Sequence, residues 1–146
     1  MTIAARRQAM VGALTAAIAL AAGGCGGRAG GSAGVPAASL APGDQRLVTA
    51  VAALCDARRQ AATTVPTART TFYDRSHDAM HELARRTEPA DRPAASQLLE
   101  AKNAVELDFL YPRTWARLGG DLATLDQAAR AALGAIGVAA PAACPG

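Results

Sequence analysis

The chain has 146 residues, 51% of them hydrophobic, yet only five are aromatic and its formal charge is a modest +3. Alanine supplies the excess with 39 residues, and arginine supplies 14 of the 15 basic side chains. Such a chain is too short for two ordinary domains, too apolar to be disordered throughout, and too poor in β-branched and aromatic residues for a sandwich or barrel.

Arg6 and Arg7 open the chain with a short positive segment, and an uncharged apolar run from Ala9 to Leu20 follows. The run is shorter than the ~20 residues that span a bilayer and has the layout of a secretory signal. It closes on Leu20-Ala21-Ala22-Gly23-Gly24-Cys25. Small residues ending in cysteine after such a run resemble the lipobox of bacterial lipoproteins. The resemblance covers residues 1–25 and departs from the pattern at Ala22, where leucine is usual. It implies that residues 1–24 are removed and that Cys25 becomes the first residue, carrying thioether-linked lipid with acyl chains such as palmitate. The mature protein would then sit on the extracytoplasmic face of the cell membrane, held by the bilayer. One acyl chain binds marginally, whereas two or more anchor stably. The same stretch also reads as an unlipidated secreted protein cleaved after Ala21. The Arg6-Arg7 pair fits general or twin-arginine export.

Residues 26–43 hold six glycines and two prolines in 18 positions. A coil of this composition spans roughly 20–25 Å root-mean-square. Residues 25–43 therefore read as a lipidated cysteine and tether, holding a domain of residues 44–146 just off the membrane.

From Asp44 to Leu118 there is no glycine, and prolines stand at positions 66, 89, 93, 112 and 141. Helix interiors exclude proline and disfavour glycine, so the segments between these marks are predicted helices. The first covers about 44–62, capped by Asp44, with Leu47, Val48, Val51, Leu54 and Cys55 on one face. The second covers about 67–87, with Phe72, Ser76, Ala79, Met80 and Leu83 facing inward. The third covers about 92–110, capped by Asp91, with Leu98, Leu99, Val105, Phe109 and Leu110 apolar. Arg113 to Leu118 is expected to form a short turn carrying Trp115. The fourth covers about 121–136, capped by Asp121 after Gly119-Gly120, with Leu122, Leu125, Ala129, Leu133 and Ile136 buried. No strand signal and no repeat interrupts this pattern. Four amphipathic helices with short connections predict an all-α fold, an antiparallel helical bundle. In style the domain resembles the small helical lipoproteins common in actinobacteria.

If Cys25 is lipidated, Cys55 and Cys144 remain as a pair. An even pair in an exported protein is expected to form a disulfide, here clamping the tail onto the first helix. A free thiol pair or a metal site is the alternative, although no CxxC spacing supports it.

Both histidines fall in helix two, His77 and His81, at i and i+4, where two imidazoles project side by side. Tyr73 lies one turn earlier. All three sit at the edge of the predicted buried face and form the candidate interaction surface. In helix three, Lys102 and Glu106 point into an apolar face and need partners. They can pair with each other, or Glu106 can reach the histidines across the interface. In the second case His77, His81 and Glu106 form a His₂Glu set suited to a divalent transition metal such as zinc, copper or iron. The alternative for the same residues is a solvated ion-pair network with Asp74, Asp78, Glu82, Arg75 and Arg85.

No glycine-rich phosphate loop, no Gly-x-Ser-x-Gly and no His-Glu-x-x-His motif is present, so the chain is not expected to be an enzyme. Nucleic acid is disfavoured as a partner: without Arg6 and Arg7 the charge falls to about +1, and the arginines are scattered. Phe109, Tyr111 and Trp115 are expected to close the bottom of the bundle, with an exposed aromatic patch as the alternative. The expectation is a membrane-anchored helical module that binds an unknown protein or small ligand, with metal binding through His77 and His81 as the alternative.

Overall fold

The computed structural model describes residues 40–145. The signal segment 1–24, Cys25 and the tether up to residue 39 lie outside the described residues. Four helices follow one another. Helix α1 is Pro42–Ala61. Helix α2 covers 65–87 as Val65–Phe72, a π-helical turn at Tyr73–His77, and Asp78–Thr87. Helix α3 is Arg92–Leu110. A 3₁₀ turn at Pro112–Thr114 leads into α4, Trp115–Ala135. The fold is all-α, and no strand occurs among the described residues. None of these helices is long and apolar enough to cross a membrane.

The helix starts follow from local chemistry, with two departures from expectation. Pro42 occupies the first turn of α1, where its missing N–H costs nothing. Asp44 is therefore not the cap. It lies in the first turn and pairs with Arg86 at 2.6 Å. Asp91 does cap α3, accepting a hydrogen bond from the Ala94 amide at 3.0 Å. Asp121 caps nothing, because α4 begins at Trp115 and runs straight through Gly119 and Gly120. Each glycine costs a helix about 1 kcal/mol, and the burial of Leu118 and Leu122 on either side of the pair outweighs this. The C-terminus of α4 is fixed by Gly137 at φ +73. The Val138 amide donates to the Leu133 carbonyl and the Gly137 amide to the Gly134 carbonyl, a Schellman closure that buries Val138.

The helices run antiparallel, each beside its neighbour in sequence, with α4 returning to α1. Arg86 with Asp44 and Arg46 with Glu82 tie the start of α1 to the end of α2. The Thr87 hydroxyl donates to the Ala132 carbonyl and ties that end to the end of α4. The core is leucine-rich: Leu47, Leu54, Leu83, Leu98, Leu118, Leu122, Leu125 and Leu133 are fully buried with Phe72 and Met80. Alanines 50, 57, 68, 129 and 132 let the backbones approach closely. Cys55 and Cys144 are joined in a disulfide across 89 residues of sequence, which brings the tail back onto α1.

One end of the bundle stays open. Phe109 is buried, but Leu107, Leu110, Tyr111 and Trp115 are exposed. Leu110 therefore does not join the core, and the aromatic residues after it do not close the bundle. Tyr111 instead carries the Arg113 guanidinium over its ring at 5.4 Å.

Candidate functional site

The α2–α3 seam is shaped by the π turn. Residues five apart on an α-helix point about 140° away from each other, whereas a π turn closes i→i+5 and brings them together. Phe72 and His77 are such a pair, with ring centres 6.0 Å apart. The turn is held from α1, where the Ser76 hydroxyl, fully enclosed, donates to the Ala50 carbonyl at 2.9 Å. Re-phasing the helix here swings His77 toward α3. Tyr73, His77 and His81 then form a row of rings, with centres 5.2 and 5.0 Å apart.

Glu106 meets this row from α3. His77 Nε2 lies 2.8 Å from Glu106 Oε1, and His77 Nδ1 lies 2.9 Å from Asp78 Oδ1. A carboxylate only accepts, so each contact is a hydrogen bond when that nitrogen carries a proton. Lys102 donates to the other oxygen, Glu106 Oε2, at 2.7 Å, and Lys102 is only 3% exposed. The two arrangements open to Glu106 thus hold together: one carboxylate serves Lys102 along its own helix and His77 across the interface. Its charge, after burial, raises the Tyr73 pKa. Burial, the Lys102 ammonium and His77 together lower the His81 pKa below its ordinary 6.5, so His81 is a neutral imidazole at pH 7.

His81 also opens a groove of about 490 Å³ that runs up the seam. Ala84, Ala95 and Leu99 give it an apolar side, and Arg85, Glu88, Arg92 and Ser96 give it a polar one. Glu88 and Arg92 face each other at 3.5 Å. Arg85 makes no ion pair among the described residues. A volume of this size is within the range of small-ligand sites, and five of the eight lining residues are polar or charged.

Two other clusters bring in residues that sequence reasoning did not single out, Asp108 and Asp126. Asp108 is wholly enclosed where α3 turns into α4, and Arg117 donates to it at 3.0 Å. Burial pushes Asp108 up, but hydrogen bonds with Arg117, Asp121 and Thr114 outweigh it and hold its carboxyl low. Burial and the neighbouring Asp108 carboxylate push Asp121 up. This pairing, and not helix capping, is the place of Asp121. The second cluster is Cys55, Asp126 and Cys144. Among the described residues it is the one trio of His, Cys, Asp or Glu whose ligating atoms all lie within 4.8 Å of one another. His77, His81 and Glu106 do not reach that mutual spacing. The sequence signal for Asp126 was its i,i+4 relation to Arg130 beside the buried stripe of Leu122, Leu125 and Ala129.

No family model, no curated protein and no solved structure matches this chain.

Proposed function

We propose that this chain is a lipid-anchored binding module on the extracytoplasmic face of the membrane, whose α2–α3 groove takes a small anionic ligand with an apolar portion. The observation that carries this is the Arg85 guanidinium, which makes no ion pair among the described residues and lines the same groove as Leu99. A carboxylate or phosphate there gains a charge-assisted hydrogen bond, with the Ser96 hydroxyl and Arg92 as further donors. Ala84, Ala95 and Leu99 cover the apolar part. His81, neutral at pH 7, lines the same groove and offers either a donor or an acceptor. The anchor rests on the lipobox resemblance at Cys25.

The test uses anilinonaphthalene sulfonate, a fluorescent apolar anion, displaced by decanoate. Saturable binding should weaken roughly tenfold in Arg85→Gln/Arg92→Gln, the loss of one charge-assisted hydrogen bond. Decyltrimethylammonium should not displace the probe. Equal affinity in wild type and variant sinks the groove. Mass analysis of the membrane fraction tests the anchor: Cys25 should be lipid-modified and Cys25→Ser should release the chain.

Metal capture is the second function with an observation in its favour, namely that His77 and Glu106 meet at 2.8 Å with His81 alongside. The Lys102 ammonium on Glu106 opposes a cation there. Titration with Zn²⁺, Cu²⁺ and Fe²⁺ against His77→Ala/His81→Ala decides it, and equal affinity in both ends this function.

A further inference from the structure

We infer that the tail disulfide conceals a redox-gated site for a zinc-class cation, with Cys55, Cys144 and Asp126 as its ligands. All three donor groups already lie within 4.8 Å of one another. Asp126 is 7% exposed, and its Oδ1 is buried with no hydrogen-bond partner. A buried carboxylate oxygen left unpaired is costly. Asp126 also brings a carboxylate oxygen within 4.8 Å of both sulfurs, which makes this carboxylate a ready ligand.

The surroundings keep this site assembled when the sulfur–sulfur bond opens. Arg130 Nε donates to Asp126 Oδ2 at 2.8 Å and fixes the carboxylate from behind. The same guanidinium donates to the carbonyls of Pro141 and Ala142, and Arg58 donates to that of Pro145 at 2.8 Å. Cys144 is thus held by backbone contacts on both sides that do not depend on the disulfide. The Cα atoms of the two cysteines are 5.3 Å apart. Tetrahedral coordination with ~2.3 Å metal–sulfur bonds needs the sulfurs about 3.7 Å apart. Side-chain rotation in the helix-free tail supplies that separation.

The chemistry balances with a dithiol reductant. Two thiols of the reductant become its disulfide, and the Cys55–Cys144 bond takes the two electrons and two protons to give two thiols. A divalent cation then displaces those two protons and bonds two thiolates and the Asp126 carboxylate. Thiolate ligands favour zinc over magnesium or calcium. The net charge of −1 on the loaded site is matched by Arg130. Three protein ligands leave the fourth position open to water or to a partner's ligand. The oxidised protein has no such site, because its sulfurs are bonded to each other.

Cobalt(II) reports this directly. The full chain carrying Cys25→Ser, in mild detergent, has these two thiols alone. After anaerobic reduction it should bind one cobalt per chain with a thiolate-to-cobalt charge-transfer band and the strong visible bands of a tetrahedral ion. Zinc should displace the cobalt. Without reduction neither band should appear. Asp126→Asn, similar in shape and uncharged, should weaken cobalt binding at least roughly tenfold, the scale of a lost or disturbed ligand contact. The charge-transfer band separates this site from the His77/His81 pair, which holds no sulfur. A reduced chain without that band overturns the inference, as does an Asp126→Asn chain that binds cobalt as tightly as its parent. A reduced chain that loses its helical circular dichroism and does not recover it with cobalt overturns it too.

Discussion

His77 on α2 and Glu106 on α3 are joined across the helix interface, Nε2 to Oε1, at 2.8 Å. The join exists because a π turn rotates His77 inward and because Lys102, enclosed one turn before Glu106, holds the other oxygen of the same carboxylate. Removing Glu106 leaves an enclosed ammonium with no counter-charge. Glu106→Ala should therefore lower the unfolding free energy by about 3 kcal/mol. Lys102→Met combined with Glu106→Leu should recover most of that loss, since an apolar pair suits the site. Urea unfolding of the single and double variants checks both. An additive double variant contradicts the coupling.

His81 gives the bundle a mild acid sensitivity. Burial and Lys102 lower its folded pKa below the ordinary 6.5, so the unfolded chain binds the proton more readily. Stability is then flat above pH ~6.5 and declines below it. The group is largely exposed, so the effect is small, under about 1 kcal/mol. His81→Gln should remove this component, and its melting temperature should gain on that of wild type between pH 7 and pH 5. Parallel curves over that interval would falsify the assignment.

Apolar spacing made much of this legible. Helical spacing puts Phe72, Ser76, Ala79, Met80 and Leu83 on one face, and all five are buried. Asp91 carried a cap signal that local geometry honours. The π turn left no such trace, because its cause is tertiary: a hydroxyl at position 76 meeting a carbonyl at position 50. Gly119-Gly120 misled, since glycine marks a helix end only when no flanking leucines hold the helix in place. The α2–α3 groove was invisible for the same reason as the π turn. It depends on how α2 and α3 lie together, whereas the pairing of Cys55 with Cys144 needed only a count.

The misleading glycines make a stability prediction. A Cβ added at Gly119 or Gly120 meets nothing within 4 Å, and both lie inside α4. Gly119→Ala and Gly120→Ala should each stabilise by about 0.5–1 kcal/mol. Gly137 has equal space but a φ of +73, so Gly137→Ala should destabilise by about 1 kcal/mol through the left-handed backbone. Chemical denaturation of the three variants should separate them by sign.

The disulfide closes a loop of 89 residues. Cys55→Ser with Cys144→Ser should cost about 2–5 kcal/mol, visible in urea unfolding. The tail should remain docked at low denaturant, because Arg58 and Arg130 hold it. Limited proteolysis that clips residues 138–145 from the folded double variant at once would contradict that docking.

The groove between α2 and α3 is the centre of the functional proposal, and amide NMR with decanoate as ligand tests it most directly. Saturable shifts should be confined to the groove wall, centred on Arg85, Ser96 and Leu99. Shifts centred instead on the exposed apolar end at Leu107, Leu110, Tyr111 and Trp115, or no saturable shift at all, would contradict it.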